Sequence, residues 1–500
     1  SSNEDRFIHV KMVVQNPASP SFDNFKELSE SYNYIPIFIK INKGKFSPVS
    51  VYKNLNNKSN SFLLESVEGN KEFARYSFIG INPKEIIKTG KNENIANADP
   101  LIILEKSISN IKRAEIIDLP QFSGGAVGFL SYEAVSYFEP SVKKIKDSLA
   151  YFPESIFLIG SSLIIFDHEE ESIFVVSNAD LRDGANFEKQ YNDCLTEIEH
   201  IISQITESNI EDEKNKPEKN NLKIEHITPK EKFMESVEDT KKLIYEGEMI
   251  QAVLSQKLKV KTDSTPIDIF NSLRNINPSP YMFLLDFENF QIIGSSPELL
   301  VKLDNNKIAV HPIAGTRPRG KTDQEDIDNE KDLLNDEKEI SEHLMLLDLG
   351  RNDLGKIAKP GTVNVTQQME IERYSHVMHI VSHVEAELSD NFNAFDVLRS
   401  AFPAGTVSGA PKVRAMKQIS EKEPFQRGPY SGAVGYFSFD GSMDTAIAIR
   451  TIVLKENTAI IQAGAGIVAD SDPETEHNEC LAKMGALIKA LEYAEKSKNP

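Results

Sequence analysis

The sequence predicts an α+β fold in which layered, antiparallel-rich β-sheets are wrapped by helices. Short strand-like runs bounded by turn residues dominate the first part of the chain, at 35–41, 61–67, 157–167 and 172–177. Helices and further strands follow in an irregular order, without the β-α-β-α alternation of a doubly wound parallel sheet. The length of 500 residues exceeds one ordinary core, so two domains or a large composite domain are expected.

Helices are predicted where apolar residues recur at helical spacing. Between 187 and 203, Tyr191, Cys194, Leu195, Ile198 and Ile202 fall on one face. The same criteria predict helices at 229–246 and 337–348 and strands at 283–287, 292–295, 432–439 and 459–463.

A charged, polar stretch at 207–222 predicts a linker or long loop, because it cannot bury apolar surface. It divides a region at 21–206 from one at 223–496, and we expect the polar segment at 1–20 to be frayed. GGAVGF at 124–129 is echoed by SGAVGY at 431–436. Each half could therefore contribute a similar strand to one composite core, although chance explains two short matches about as well.

Composition narrows the choice of partners and compartment. The formal net charge of −20 disfavours nucleic acid, which needs a basic surface. Cys194 and Cys480 form no disulfide framework, so both are expected to be structural and the compartment reducing. No apolar run reaches the ~20 residues of a membrane span, and residues 1–10 lack the apolar core of a signal peptide. A cytoplasmic protein is expected.

Two glutamate pairs share one spacing. Glu339 and Glu342 stand three apart in a predicted helix, and Glu476 and Glu479 follow Asp472-Pro473, a typical helix start. Either pair alone is more often a solvated helical face. Brought into one site, four carboxylates would repel one another unless a cation lay among them, and oxygen ligands suit Mg²⁺ or Ca²⁺.

Three histidines, His376, His379 and His383, have the spacing of one helical face. They could be zinc ligands, one functional histidine with two structural ones, or three structural residues on a helix or strand. The absence of H-E-x-x-H disfavours zinc.

Glycine-rich turns occur at 314–317, 404–409 and 464–466. Such turns let backbone N–H groups approach carboxylate or phosphate oxygens, although each alone is more often only a turn. None has the P-loop pattern. A carboxylate-binding pocket is plausible because cationic residues lie near these motifs, namely Arg317, Arg319, Lys412, Arg414, Arg450 and Lys483.

The second region resembles the chorismate-utilising enzymes, a family that includes anthranilate, aminodeoxychorismate, isochorismate and salicylate synthases. The motifs that carry this resemblance are PIAGTRPRG (312–320), EHLMLLDLGRNDLGKI (342–357), FPAGTVSGAPKVRAM (402–416), GPYSGAVGYF (428–437) and QAGAGIVADSDPETEHNE (462–479). The first region matches more thinly, through LLES (63–66) and GGAVGF.

The resemblance implies a magnesium ion held by Glu342 and Glu479, with Glu339 and Glu476 helping directly or through water. That ion would bind the ring carboxylate of chorismate. The substrate-binding residues that it implies are Gly315, Thr316, Tyr430, Arg450, Gly464, Ala465, Gly466 and Lys483.

For catalysis the resemblance implies Glu298 as the general acid for the C4 hydroxyl and His379 as a helper in pyruvate elimination. Gln251 stands where isochorismate and salicylate synthases carry a water-activating lysine, and glutamine cannot be that base. Ala314 stands where aminodeoxychorismate synthases carry a nucleophilic lysine. Both positions therefore favour ammonia addition and an anthranilate product, as in the large subunits of anthranilate synthases.

LLES (63–66) and NPSPYM (277–282) resemble the family's tryptophan feedback site, which implies that L-tryptophan inhibits. The implied contacts are Glu65, Ser66, Asn277, Pro280, Tyr281 and Met282. No glutaminase triad is recognisable, so a separate glutamine amidotransferase subunit is the expected ammonia source. The alternatives are an aminodeoxychorismate synthase, a non-catalytic amino-acid-binding regulator, or a zinc hydrolase in which the three histidines converge.

Overall fold

The computed structural model describes residues 17–67, 74–144, 152–208, 218–374 and 376–494. The α-helices in these ranges are α1 (Phe22–Ser29), α2 (Pro48–Asn54), α3 (Pro100–Ile108), α4 (Val135–Phe138), α5 (Phe187–Thr206), α6 (Lys230–Tyr245), α7 (Pro266–Ile276), α8 (Asp323–Leu334), α9 (Glu337–Gly355), α10 (Ala394–Ala401), α11 (Lys412–Lys422) and α12 (Pro473–Glu492).

The strands in the same ranges are β1 (Tyr34–Asn42), β2 (Ser61–Glu65), β3 (Tyr76–Ile81), β4 (Glu85–Thr89), β5 (Gly125–Leu130), β6 (Ser155–Ile159), β7 (Ser162–Asp167), β8 (Ser172–Asp180), β9 (Ile224–His226), β10 (Gln251–Lys261), β11 (Tyr281–Asp286), β12 (Gln291–Ser296), β13 (Leu299–Asp304), β14 (Lys307–Val310), β15 (Ile313–Pro318), β16 (Asn364–Arg373), β17 (Val377–Glu387), β18 (Gly409–Ala410), β19 (Ala433–Ser438), β20 (Met443–Ile447), β21 (Thr451–Lys455) and β22 (Thr458–Ile467).

These strands form two antiparallel sheets, and each sheet combines both halves of the chain. Sheet one has the order β1-β8-β7-β3-β2-β11-β12-β21-β22-β10-β18, with β9 paired to β10. Sheet two has the order β15-β17-β14-β13-β20-β19-β5-β6-β4, with β16 paired to β17. The halves meet at β2–β11 in sheet one and at β5–β19 in sheet two. The predicted composite core is confirmed.

The sheets pack face to face, with helices covering their outer faces. Phe62 and Phe283 of sheet one share a buried cluster with Phe129 and Val434 of sheet two. A second cluster joins sheet one to α5, α7 and α12, and a third joins sheet two to α3, α9 and α10. The layered α+β class is therefore confirmed.

The sequence echo lies at the junction of the two halves. The strands of GGAVGF and SGAVGY are neighbours, with Gly128 opposite Gly435. A Cβ at Gly128 would stand 1.9 Å from the Ile156 carbonyl oxygen, and one at Gly435 would stand 2.1 Å from that of Asp444. The repeated glycines therefore reflect the same close strand packing on the two sides of one ladder.

Most predicted elements are found, but one strand is not continuous. The run at 157–167 is split into β6, which belongs to sheet two, and β7, which belongs to sheet one. Gly160 lies in the connection with φ of +69°, so the chain crosses between sheets there. Hydrophobic content cannot reveal this break, because both strands are buried throughout.

The division at 207–222 and the frayed segment at 1–20 stay predictions, because residues 209–217 and 1–16 lie outside the described ranges. Cys194 and Cys480 are buried free thiols. Among the described residues, no helix combines the length and apolarity that crossing a membrane requires.

Candidate active site

A cleft of ≈ 580 Å³ gathers most of the predicted site residues. It opens between sheet two and the helices α9 and α12. Nine of the predicted catalytic, substrate and metal residues line it: Glu298, Gly315, Thr316, Glu339, Glu342, His379, Arg450, Glu479 and Lys483. Gln251, Tyr430, Glu476 and residues 464–466 lie behind this lining. The turns predicted at 314–317 and 464–466 are wrong, because these residues lie in strands β15 and β22, where the glycines allow close packing of the neighbouring groups.

Both glutamate pairs lie near the capped N-terminus of a helix. Asp336 accepts hydrogen bonds from the N–H groups of Lys338 and Glu339, which fixes the first turn of α9. Asp472 caps α12 in the same way, with Pro473 in its first turn. The predicted helical placement of both pairs is therefore confirmed.

Glu298 is buried between β12 and β13, with 4% of its surface exposed. Thr406 Oγ1 donates to its Oε2 at 2.8 Å, and the Ile313 N–H donates to its Oε1 at 3.3 Å. Burial raises the pKa of Glu298 to about 8, although both hydrogen bonds oppose the shift. The carboxyl group is therefore mostly protonated at neutral pH, as a general acid must be.

His379 lies on β17, opposite Thr316 of β15. Its Nδ1 is 3.1 Å from the Gly315 carbonyl oxygen and 3.2 Å from Thr316 Oγ1. Because a carbonyl can only accept, Nδ1 carries the proton and Nε2 keeps its lone pair. Burial lowers the pKa of His379, so the ring is neutral and can accept a proton.

Arg450 places a half-buried cation in the wall of the cleft. Its Nη1 donates to the Lys483 carbonyl oxygen at 2.9 Å, and no ion pair joins it to a carboxylate of the described chain. Burial lowers the pKa of Arg450. Its φ of +52° is unusual for a residue with a side chain, and such strain clusters at functional sites. The guanidinium can therefore bind a substrate carboxylate.

The remaining predicted substrate-binding residues contact one another next to the cleft. Lys483 Nζ donates to the Gly464 carbonyl oxygen at 2.8 Å and is 3.3 Å from Glu479 Oε1. A Cβ at Gly466 would stand 2.0 Å from Gln251 Nε2, so a side chain there would displace the Gln251 amide. A Cβ at Gly464 would stand 2.8 Å from the hydroxyl of buried Tyr430.

The four carboxylates are crowded; Glu476 is buried, Glu339 and Glu342 are half-buried, and Glu479 is exposed. Burial raises the pKa of Glu339 and Glu342. Burial and a hydrogen bond with Glu479 raise the pKa of Glu476 to about 7. For Glu479, burial favours a higher pKa, but the ammonium of Lys483 and the hydrogen bond with Glu476 together outweigh it and the pKa is lowered. This cluster has the electrostatics of a cation site.

The donor set fits Mg²⁺. All four donors are carboxylates, the ligands that Mg²⁺ prefers, and Glu476 Oε2 is buried without a hydrogen-bond partner. Within the described residues, no three candidate ligands already stand in coordinating positions. Three of them are engaged by nitrogen instead: Glu342 by Gln251 Nε2 at 3.3 Å, Glu476 by Lys338 Nζ at 3.9 Å and Glu479 by Lys483 Nζ at 3.3 Å.

The histidines do not share a helical face. His379 and His383 lie on strand β17, and exposed His376 precedes that strand. His383 Nδ1 is 3.0 Å from His311 Nδ1, whereas His379 contacts Gly315. Of the helix and the strand that the spacing left open, the structure shows the strand, which the β-branched and apolar residues between the histidines favour. One functional histidine remains the prediction.

The predicted tryptophan residues also lie together. Glu65 of β2 pairs with Met282 of β11, and the Val67 N–H donates to the Ser279 carbonyl oxygen. Burial raises the pKa of Glu65 to about 7; neither of its carboxylate oxygens accepts a hydrogen bond, and Arg274 Nε is 3.4 Å from Oε2. Residues 68–73, which follow this site, lie outside the described ranges.

The sequence analysis missed one contact of Glu298. Thr406 lies in the 404–409 turn, which the sequence marked only for its glycines, yet its hydroxyl holds Glu298. The hydroxyl in that turn was the available signal, but the partner is 108 positions away and only the fold brings the two together.

Comparison with known proteins agrees with this geometry. The model of the chorismate binding enzyme family matches residues 59–489. The chain belongs to this family. Its members include component 1 of anthranilate synthase from Acetivibrio thermocellus, which is 43% identical over 95% of this chain and 99% of its own length. The corresponding protein of Acinetobacter calcoaceticus is also 43% identical, over 95% of this chain and 98% of its own.

A solved structure extends the comparison to three dimensions. Anthranilate synthase component I from Streptococcus pneumoniae superimposes with a TM-score of 0.75 at 36% identity, covering 89% of this chain and 99% of that one. This chorismate-binding enzyme therefore shares both sequence and fold with anthranilate synthase components over nearly its whole length.

Proposed function

We propose that this enzyme converts chorismate and ammonia to anthranilate and pyruvate, the first committed step of tryptophan biosynthesis. The observation that carries the proposal is the buried, protonated Glu298 in one cleft with neutral His379, unpaired Arg450 and the glutamate cluster. These groups supply an acid, a base, an anion-binding cation and a cation-binding wall.

Substrate binding follows from charge. Arg450 pairs with the pyruvyl carboxylate, and Lys483 supports the wall that receives the ring carboxylate. The bulge between Ala314 and Thr316 gives Gly315 a φ of +72° and turns Thr316 towards His379. Glu342 and Glu479, with Glu339 and Glu476, would hold Mg²⁺, which would supply the positive charge that this acidic wall needs in order to receive the ring carboxylate.

The reaction needs an acid first and a base later. Glu298 gives its proton to the C4 hydroxyl, which departs as water while ammonia adds at C2. Gln251 Oε1 is buried without a partner and can accept a hydrogen bond from the incoming ammonia. Nε2 of His379 then takes the C2 proton as pyruvate leaves and the ring becomes aromatic.

The residue at position 314 bears on which product the enzyme forms from chorismate and ammonia. The Ala314 methyl group lines the cleft and cannot form a covalent adduct with the ring, which disfavours an aminodeoxychorismate synthase. We propose that a separate glutamine amidotransferase subunit delivers the ammonia, in keeping with the name "component 1" of the relatives. A cytoplasmic location is part of the proposal and rests on the two free thiols.

The purified chain tests this function directly. It is incubated with chorismate, Mg²⁺ and an ammonium salt near pH 8, and products are followed by fluorescence and mass spectrometry. Anthranilate and pyruvate in equal amounts support the proposal. Aminodeoxychorismate without pyruvate would replace it with the folate-type reaction, and full activity in the presence of a chelator would remove magnesium from it.

We also propose that L-tryptophan inhibits from the site formed by Glu65, Ser66 and the 277–282 segment. Buried Glu65 can receive the ligand's ammonium group. Asn277 and Pro280 line the substrate cleft, and Met282 is paired with Glu65. One segment therefore touches both sites, so a ligand that fixes it in one position can change chorismate binding.

Substitution of the feedback site should separate inhibition from catalysis. In Ser66→Ala and Met282→Thr we expect the tryptophan concentration for half-inhibition to rise at least about tenfold, the effect of losing ~1.4 kcal/mol of binding. Activity without tryptophan should change little, because neither side chain lines the cleft. Ser109→Ala, at an exposed helix cap, is the matched control, and a wild type that ignores tryptophan would disprove the assignment.

A further inference from the structure

Three cavities lie in series and share wall residues, with Glu298 between the first and the second. The substrate cleft shares Glu298, Leu346 and Thr406 with a small inner chamber of ≈ 40 Å³. The chamber in turn shares Leu349 and Asp353 with an outer groove of ≈ 600 Å³. Helix α9 supplies the common wall, and the substrate cleft and the outer groove lie at opposite ends of the series.

The chamber has the size and lining of a water site. A volume of ≈ 40 Å³ holds about two or three waters and excludes chorismate. Most of its wall is apolar, with Leu300, Val310 and Ile447 among the lining residues. Polar partners for water stand at its ends, where Glu298 borders the cleft and Asp353 borders the groove.

The outer end reaches solvent past an ion pair. Lys412 Nζ is 3.0 Å from Asp353 Oδ2, and both side chains line the groove. Asn352 and Lys356, which also line the groove, are exposed. The Asp353–Lys412 pair therefore stands between the chamber and bulk water.

We propose that this series is a water and proton passage that serves Glu298 from the side opposite the substrate. The inference rests on the proposed function, in which the O–H bond of Glu298 and the C4–O bond of chorismate break together. The leaving oxygen keeps its electron pair, takes the proton and departs as water. Glu298 is left as a carboxylate and must regain one proton in each turnover, while the nitrogen that adds as ammonia gives up one proton to the cleft, so the cycle consumes no net proton.

The substrate explains why a second route is needed. Chorismate fills the cleft side of Glu298, and water released there would compete with ammonia for C2. The chamber lies beside Glu298 and can receive the water that is released from C4. Its waters can then return a proton to the Glu298 carboxylate, with the charge balanced by a proton taken up at the groove.

Blocking the passage should slow the reprotonation of Glu298 but leave the rate of the first turnover nearly unchanged. We choose Leu349→Trp, because Leu349 lines both the chamber and the groove, with Leu344→Trp as the control because Leu344 is 40% exposed on the same helix. Rapid-mixing kinetics with chorismate, Mg²⁺ and ammonium should show a first turnover within about twofold of wild type. Later turnovers should be at least about tenfold slower, which gives a burst of one product per site.

Gly350→Ala is the milder variant. It lines the chamber and places a methyl group 3.0 Å from Val310 Cγ2, in a helix that alanine favours over glycine. It should show the same burst with a smaller slowing. If steady-state rates of both variants match the control, or if the first turnover slows as much as the later ones, the passage is wrong.

A measurement without turnover keeps the two proposals separate. With chorismate and Mg²⁺ but no ammonium, transfer to D₂O should shift the infrared carbonyl band of protonated Glu298, which Glu298→Gln identifies by its absence. Leu349→Trp should slow this exchange at least about tenfold, and equal exchange in variant and control overturns the passage. Failure of the proposed function shows instead as a wild type that forms no anthranilate.

Discussion

Glu298→Gln is expected to reduce kcat by about 10²–10⁴-fold, the usual contribution of a positioned general acid. Glutamine preserves the shape of the side chain and can still contact Thr406 and the Ile313 N–H, but it has no acidic proton for the C4 hydroxyl. The KM for chorismate should change little, because Glu298 is neutral when substrate binds. Steady-state anthranilate fluorescence measures both quantities.

The pH profile identifies the protonated group. Burial raises the pKa of Glu298 to about 8. The acid form is therefore nearly complete at pH 6, half present near pH 8 and falls tenfold with each further pH unit, so kcat/KM, which reports the free enzyme, should fall on the alkaline side. Glu298→Gln should lack that limb, while Thr316→Ser should retain it. An unchanged alkaline limb in the glutamine variant would contradict the assignment of the acid.

The sequence predicted which elements carry the candidate site residues better than it predicted how those elements converge. Local spacing was enough to place Glu339 and Glu342 on one helix and Glu476 and Glu479 on another, because caps and periodicity are local properties. The convergence of these helices with Glu298 depends on the sheets joining both halves of the chain. That joining was suggested only by the echo whose strands pair at Gly128 and Gly435.

The ambiguous elements share a physical cause. The spacing of His379 and His383 fits a helix as well as a strand, and residues 378–382 of their strand are buried throughout, without alternation of buried and exposed positions. The 157–167 run is likewise apolar throughout, which concealed the crossing at Gly160. Periodicity distinguishes helix from strand only when one face meets water, and at the centre of this fold neither face does.

Glu342→Gln is expected to weaken magnesium binding by at least about 100-fold. Loss of a residue that only hydrogen-bonds a metal ligand already costs up to about 100-fold in metal affinity, and loss of a ligand should cost at least as much. Glutamine keeps an oxygen donor but removes a charge from the buried acidic wall. Wild-type protein at a Mg²⁺ concentration of 100 times Kd should gain about 2.7 kcal/mol of unfolding free energy. The variant should gain only about 0.4 kcal/mol at that concentration. Thermal or denaturant unfolding with and without Mg²⁺ measures the difference.

Without metal, Glu342→Gln should have the opposite effect on the free energy of unfolding. Burial raises the pKa of Glu342, so its ionised form is unfavourable in the fold, and neighbouring Glu479 adds repulsion. Removing that charge should leave the metal-free variant as stable as wild type or more stable, although its activity is lost. Glu337→Gln, exposed in the first turn of the same helix, is the matched control and should behave as wild type. A site that merely supports the fold would lose stability in both conditions, so gain without metal and loss with metal together identify a cation-binding wall.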